Sequence, residues 1–110
     1  MAAGKYNITI DQGSDFALQL TIKENAVAKN LTGFSVRGQI RPSTTSSTVS
    51  ASFTGSIVNA TSGILKIEIP NTTTVNMSAG KYVYDTEIYT GSVVQRLLQG
   101  NATVRAEITR

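Results

Sequence analysis

Apolar side chains recur at every second position along most of this chain. Tyr6, Ile8 and Ile10 alternate with Lys5, Asn7 and Thr9, and Phe16, Leu18, Leu20 and Ile22 alternate with Ala17, Gln19 and Thr21. Phe34, Val36, Gly38 and Ile40 alternate with Ser35, Arg37, Gln39 and Arg41. Successive side chains of a strand point to opposite faces, so each run predicts an antiparallel strand with one buried and one wet side. After Pro42, Ser43 to Ser52 is almost entirely Ser and Thr. It has little to bury and predicts a flexible hairpin or edge connection. Val49, Ala51 and Phe53 then restore a weak alternation.

Asn59-Ala-Thr-Ser-Gly63 is a cluster of turn formers, and Leu65, Ile67 and Ile69 form the next strand until Pro70 stops it. Asn71 to Gly80 is the one place for a short helical turn, near residues 72–78. Thr72 to Thr74 would cap it, with Val75 and Met77 tucked inward. Lys81 to Tyr89 predicts a strand with Tyr82, Tyr84, Thr86 and Ile88 on one side. Thr90-Gly91-Ser92 predicts a hairpin turn. Val93 to Gln99 returns, Gly100-Asn101 turns again, and Ala102, Val104, Ala106 and Ile108 mark the last strand.

Seven or eight short strands at near-regular spacing, rich in β-branched residues, predict an all-β fold. The expected architecture is an antiparallel β-sandwich of immunoglobulin-like size. The 110 residues suit one domain spanning 1–110 with a single core. The buried Trp and paired cysteines of antibody domains are missing, so the strand topology stays open.

Composition narrows the chemistry. There is no cysteine, hence no disulfide framework and no thiolate metal site. There is no histidine, which removes the commonest general base and zinc ligand together. The formal charge is +3, but the ten basic residues are spread along the chain rather than clustered with stacking aromatics, so nucleic acid is not an expected partner. The opening Met1-Ala-Ala-Gly-Lys has no apolar stretch of the secretory kind. No run approaches the ~20 apolar residues that span a bilayer. Synthesis in the cytoplasm without membrane contact is the expectation.

Candidate sites are few. Asp85 and Glu87 lie two apart on a strand, about 6.6 Å along the backbone, near the spacing of a glycosidase carboxylate pair. The alternation puts them opposite Tyr84, Thr86 and Ile88, where a polar outer face accounts for them. Asp11-Gln-Gly-Ser-Asp15 offers two carboxylates to Ca²⁺, which wants six to eight oxygens; a tight turn at Gly13 is the simpler reading. No nucleophile elbow or phosphate loop occurs, so no catalytic residue, cofactor or metal is expected. Asn7, Asn30, Asn59, Asn71, Asn76 and Asn101 each open an Asn-x-Ser/Thr triplet. In so Ser/Thr-rich a chain these arise from composition and are expected to stay unmodified.

Only 15% of residues are charged, and the outward positions favour Thr, Ser, Asn and Gln. Such a surface suits packing against neighbours in an assembly better than life as a free monomer. Exposed edge strands can pair with another chain. The first strand, with Lys5, Asn7 and Thr9 outward, is one candidate contact. The arm Ser43, Thr44, Thr45, Ser46, Ser47 and Thr48 is the other.

Three stretches, in order, carry a resemblance. They are Gly4-Lys-Tyr-Asn-Ile-Thr-Ile-Asp-Gln-Gly13 with Phe16; Asn30-Leu-Thr-Gly-Phe34 running into Gln39-Ile-Arg-Pro42; and Ala79-Gly-Lys-Tyr-Val-Tyr-Asp-Thr-Glu-Ile88 with Arg96-Leu-Leu-Gln-Gly100 and Glu107-Ile-Thr-Arg110. Together they resemble small phage and prophage virion structural proteins, and are similar to the immunoglobulin-like N-terminal domain of phage upper-baseplate proteins that connect fibres to the tail. The resemblance implies a non-catalytic virion protein of tail, baseplate or neck, made in the host cytoplasm. Its implied partners are other virion proteins, fibre parts among them, and further copies of itself. The sequence ends at Arg110 without a fibre or coiled coil, which favours an adaptor or connector over a receptor-binding part. A capsid decoration (head cement) protein and a carbohydrate- or receptor-binding module, for which Tyr89 would be the exposed aromatic, are the alternatives.

Overall fold

The computed structural model describes residues 4–108; Met1-Ala-Ala at the start and Thr109-Arg110 at the end, the latter part of the resemblance above, lie outside the described residues. The strands are β1 (Gly4–Lys5), β2 (Ile8–Asp11), β3 (Phe16–Thr21), β4 (Lys23–Glu24), β5 (Val27–Ala28), β6 (Ser35–Arg41), β7 (Ala51–Asn59) and β8 (Ile64–Ile69). A single-turn helix α1 (Asn71–Thr74) follows, then β9 (Gly80–Tyr89) and β10 (Val94–Arg105). The all-β expectation holds, with one qualification. The layers belong to one curled sheet, ordered β1-β10-β9-β6-β7-β8-β3 with β2 also on β10, and that sheet is mixed. β1 and β2 run parallel to β10, while its other pairings are antiparallel. No hairpin ties β2 to β10; the chain leaves β2 through the Asp11–Asp15 turn for the far end of the sheet, so nothing forces an antiparallel approach.

Alternation builds the core as expected except at Tyr6, which is exposed. Ile10, Ile40, Leu65, Ile67, Ile69 and Ile88 are completely buried, each contributing about 1.5–3 kcal/mol through the apolar area it removes from water. Register irregularities between Ile57 and Asn59 in β7 and between Arg96 and Leu98 in β10 help the sheet bend. The curl brings Phe16 on β3 within 6.2 Å of Phe53 on β7, ring centre to ring centre, although β8 lies between them in the sheet. Phe53 in turn meets Tyr84 of β9 edge-on at 6.0 Å.

Several local readings need correction. The helix is shorter than 72–78, and its threonines do not cap it. Asp15 Oδ1 accepts the Asn71 N–H at 2.7 Å, and buried Thr74 donates its hydroxyl to the Ser14 carbonyl at 2.7 Å. Met77 is buried, but Val75 faces solvent. Gly100-Asn101 is not a turn: β10 passes through it in register with Tyr84 and Val83. Gly100 is there for clearance, since a Cβ would collide with the Tyr6 carbonyl. β10 ends at Arg105, so Ala106 and Ile108 are not strand positions, and Ile108 is 93% exposed. β7 runs well past Phe53 to Asn59, and Val49 lies outside it.

The first strand is interrupted. β1 and β2 keep one register along β10, but at Asn7 the side-chain oxygen, not the backbone, accepts the Asn101 N–H at 3.1 Å. The Tyr84 hydroxyl spans the gap by donating to the Tyr6 carbonyl at 2.5 Å. A second, small sheet is the hairpin β4–β5, whose two turn residues Asn25 (φ 52°) and Ala26 (φ 65°) both sit in left-handed conformation. Paired positive φ values are the mark of a type I′ turn.

Two predictions follow from these joints. Ala26→Gly removes the Cβ penalty at positive φ and is expected to raise unfolding free energy in urea by about 1 kcal/mol. Tyr84→Phe is expected to lower it by about 1 kcal/mol near neutral pH. Burial, with a smaller contribution from Tyr6, pushes the Tyr84 phenol from 10.0 up to about 12. The folded state therefore favours the neutral phenol: that stability is intact below pH 10.0 and is lost as pH rises toward 12. Urea titrations of both proteins should show the gap between wild type and Tyr84→Phe narrowing over that range.

Candidate interaction face

The outer face of β1, β10, β9, β6 and β7 is laid out in rows by strand register. Lys5, Gln99, Asp85, Gln39 and Ser52 form one row across five strands. Arg96, Glu87, Arg37 and Thr54 form the next, and Asn101, Val83 and Arg41 a third. The irregularity after Arg96 is what keeps Arg96 and Gln99 both outward, while Leu97 and Leu98 pack on the core. The rows floor a shallow groove of about 910 Å³, rimmed on one side by Lys5 and Asn7 and on another by Ser43 and Thr44.

Charge in the groove is arranged in pairs. Arg37 Nε donates to Glu87 Oε1 at 2.5 Å, and its guanidinium lies over the Tyr89 ring, 4.2 Å from the ring centre. Arg96 Nε sits 3.3 Å from Asp85 Oδ2. Arg41 reaches the Ser46 carbonyl at 3.0 Å and the Gln39 side chain at 2.8 Å. Four cations, Lys5, Arg37, Arg41 and Arg96, face two carboxylates, Asp85 and Glu87, so the groove carries a positive excess.

Both members of the Asp85/Glu87 pair are thus held by guanidinium groups on the solvent side, as the alternation implied. Asp11 and Asp15 are engaged elsewhere. Arg105 donates to Asp11 at 2.7 Å and holds its carboxyl below the usual carboxylate range, and Asp15 caps α1. Between them Gly13 takes φ 83° and Ser14 N–H returns to the Asp11 carbonyl at 3.1 Å, closing the turn. Among the described residues no group of three or more Asp or Glu side chains is placed to hold a metal ion.

The two contact regions read from the sequence meet only in part. Lys5, Asn7, Ser43 and Thr44 border the same groove. Thr9 lies outward on β2 beside Thr103, away from it. Thr45, Ser46, Ser47 and Thr48 continue a loop that forms no strand. That loop is tied down by Arg41, by Ser46 N–H to the Ser43 carbonyl at 3.2 Å, and by Ser50 N–H to the Ile40 carbonyl at 2.7 Å. It offers hydroxyls and loop carbonyls, not a sheet edge. The arginines and carboxylates flooring the groove carried no contact assignment from the sequence, although their alternation already placed them on one face.

No protein-family model matches the chain, and no curated protein matches it. The architecture defines the class: an all-β, sandwich-like module with a polar, ion-paired outer face. Because Arg37 and Glu87 are partly open to water, their pair adds little to stability. Arg37→Ala is expected to change the unfolding free energy in urea by less than about 1 kcal/mol.

Proposed function

We propose that this chain is a non-catalytic structural protein of a bacteriophage virion, an adaptor or connector of tail, baseplate or neck that works through protein–protein contacts. The observation that carries the reading is the groove itself. Five strands support a broad polar face whose carboxylates are neutralised by arginines and whose surplus charge is cationic. A face of that kind suits docking of an acidic or polar protein surface, with charge steering the encounter and setting the register. Ordered resemblance to virion structural proteins along the sequence supplies the setting. A sugar-binding module would want a free aromatic platform, whereas Arg37 covers the ring of Tyr89, the aromatic the sequence offered for that role.

In such a particle, other virion proteins would meet the groove, and copies of the chain would be held in a symmetric array where weak contacts add up. Mass spectrometry of separated heads and tails is expected to find the protein with the tails. Recovery in heads alone would move it to capsid decoration and end the connector reading. The double variant Arg37→Glu with Arg41→Glu is expected to fold normally yet drop out of assembled tails.

A further inference from the structure

β3 (Phe16–Thr21) is an outer strand: β8 pairs with it on one side, and among the described residues no strand pairs on the other. Its inward side chains show the consequence. Phe16, Leu18 and Leu20 are only half-buried, while their partners Ile69, Ile67 and Leu65, one strand further in, are fully buried. Water therefore reaches this apolar row from the open side. The Ile22 N–H donates to the Gly63 carbonyl at 2.7 Å, which fixes position 22 as facing the β8 side. Backbone groups alternate in direction, so those of Phe16, Leu18 and Leu20 also face β8, and those of Ala17, Gln19 and Thr21 face outward.

The other end of the sheet is protected. β1 and β2 have two and four residues, are interrupted at Tyr6–Asn7, and carry Lys5 and the Asp11–Arg105 ion pair. Short, broken and charged edges deter strand addition. β3 has six residues with no charge, no proline and no register irregularity.

We propose that β3 is the contact through which two copies of this chain pair, antiparallel, about a two-fold axis at Gln19. In that register Gln19 faces Gln19 of the second copy and Ala17 faces its Thr21, each pair exchanging backbone hydrogen bonds from groups now pointing outward. On the inner side Leu18 meets Leu20 of the second copy and Phe16 meets its Ile22, which covers the half-buried row. Just beyond the strand, Asp15 comes level with Lys23 of the second copy at both ends, placing opposite charges across the pair. Any other two-fold register separates Asp15 from Lys23. Such self-complementarity is what an isologous contact requires. One six-residue strand pair is small against the roughly 1,200–2,000 Å² of a stable interface. Dimerisation should therefore depend on concentration and strengthen wherever copies are held close. The pairing does not depend on a place in a virion, and its failure would leave the connector reading standing.

The chain has no native cysteine, so single cysteines report the contact cleanly. Sedimentation of wild type over rising concentration is expected to move from 11.7 kDa toward about twice that mass. Gln19→Lys, which sets like charges on the axis, should stay monomeric at the same concentrations with an unchanged melting curve. Gln19→Cys should link to itself under mild oxidation, because directly opposed Cα atoms lie within disulfide reach. Thr21→Cys should link to itself at least roughly tenfold more slowly, since two such residues would lie about 13 Å apart. Thr21→Cys mixed with Ala17→Cys should link readily. A wild type that remains monomeric at millimolar concentration, or a Thr21→Cys chain that self-links as fast as Gln19→Cys, overturns the proposal.

Discussion

β1 and β2 lie along β10, and much of the remaining architecture depends on that junction. β1 and β2 bond to β10 in parallel, residues more than ninety positions away. Little local sequence helps such a pairing, so it is secured by three side-chain features. Gly100 leaves room for the Tyr6 carbonyl, the Tyr84 hydroxyl satisfies that carbonyl, and the Asn7 side chain takes the Asn101 N–H where the ladder is interrupted. With the junction made, Ile8 and Ile10 turn into the core beside Ala102 and Val104. The Asp11–Asp15 turn then delivers β3 to the opposite end of the sheet.

The outer face follows from the same register. A pleated sheet shows every second residue to solvent, so the sequence Val83, Asp85, Glu87 of β9 necessarily lies between Arg41, Gln39, Arg37 of β6 and Asn101, Gln99, Arg96 of β10. Cross-strand opposition of Arg37 with Glu87 is a consequence of strand alignment, and the diagonal from Arg96 to Asp85 depends on the irregularity in β10. Each carboxylate has an arginine within ion-pair reach, so the pair reads as part of a charged lattice and not as two acids poised around a bond.

Period-two alternation made the individual strands legible, because burial on one face is a local property of the residue list. Tyr82, Tyr84, Thr86 and Ile88 could be placed on one side of β9 before any partner was known. What alternation cannot convey is which strand lies next to which, and hence the parallel edge at β10. Glycine misled for a related reason. Gly100 beside Asn101 has the local pattern of a turn, yet its role is to let a distant backbone approach, which no neighbouring residue announces. The β4–β5 hairpin also escaped notice, since its turn uses Asn25-Ala26, with alanine where a type I′ turn favours glycine. In the site, Lys5, Asn7, Ser43 and Thr44 were found as outward polar residues near an edge. Their convergence on one groove follows from β6 and β10 both flanking β9, a neighbour relation absent from the linear pattern.

The two ends of the sheet differ in chemistry, and the proposed connector would use that difference. The groove spreads over β1, β10, β9, β6 and the start of β7, whereas β3 closes the opposite end of the strand order. One region is cationic, shallow and ion-paired; the other is uncharged, apolar along its inner row and rich in outward backbone groups. Contacts of such different chemistry discriminate between partners, because a charged surface gains nothing at β3 and an extended apolar strand gains little in the groove. Lying at separate ends of the strand order, the two proposed contacts would be open at the same time, so pairing of like copies would raise the effective concentration of the groove toward an unlike partner. In the connector proposed above, a stiff sheet with two such ends would link neighbours through contacts alone.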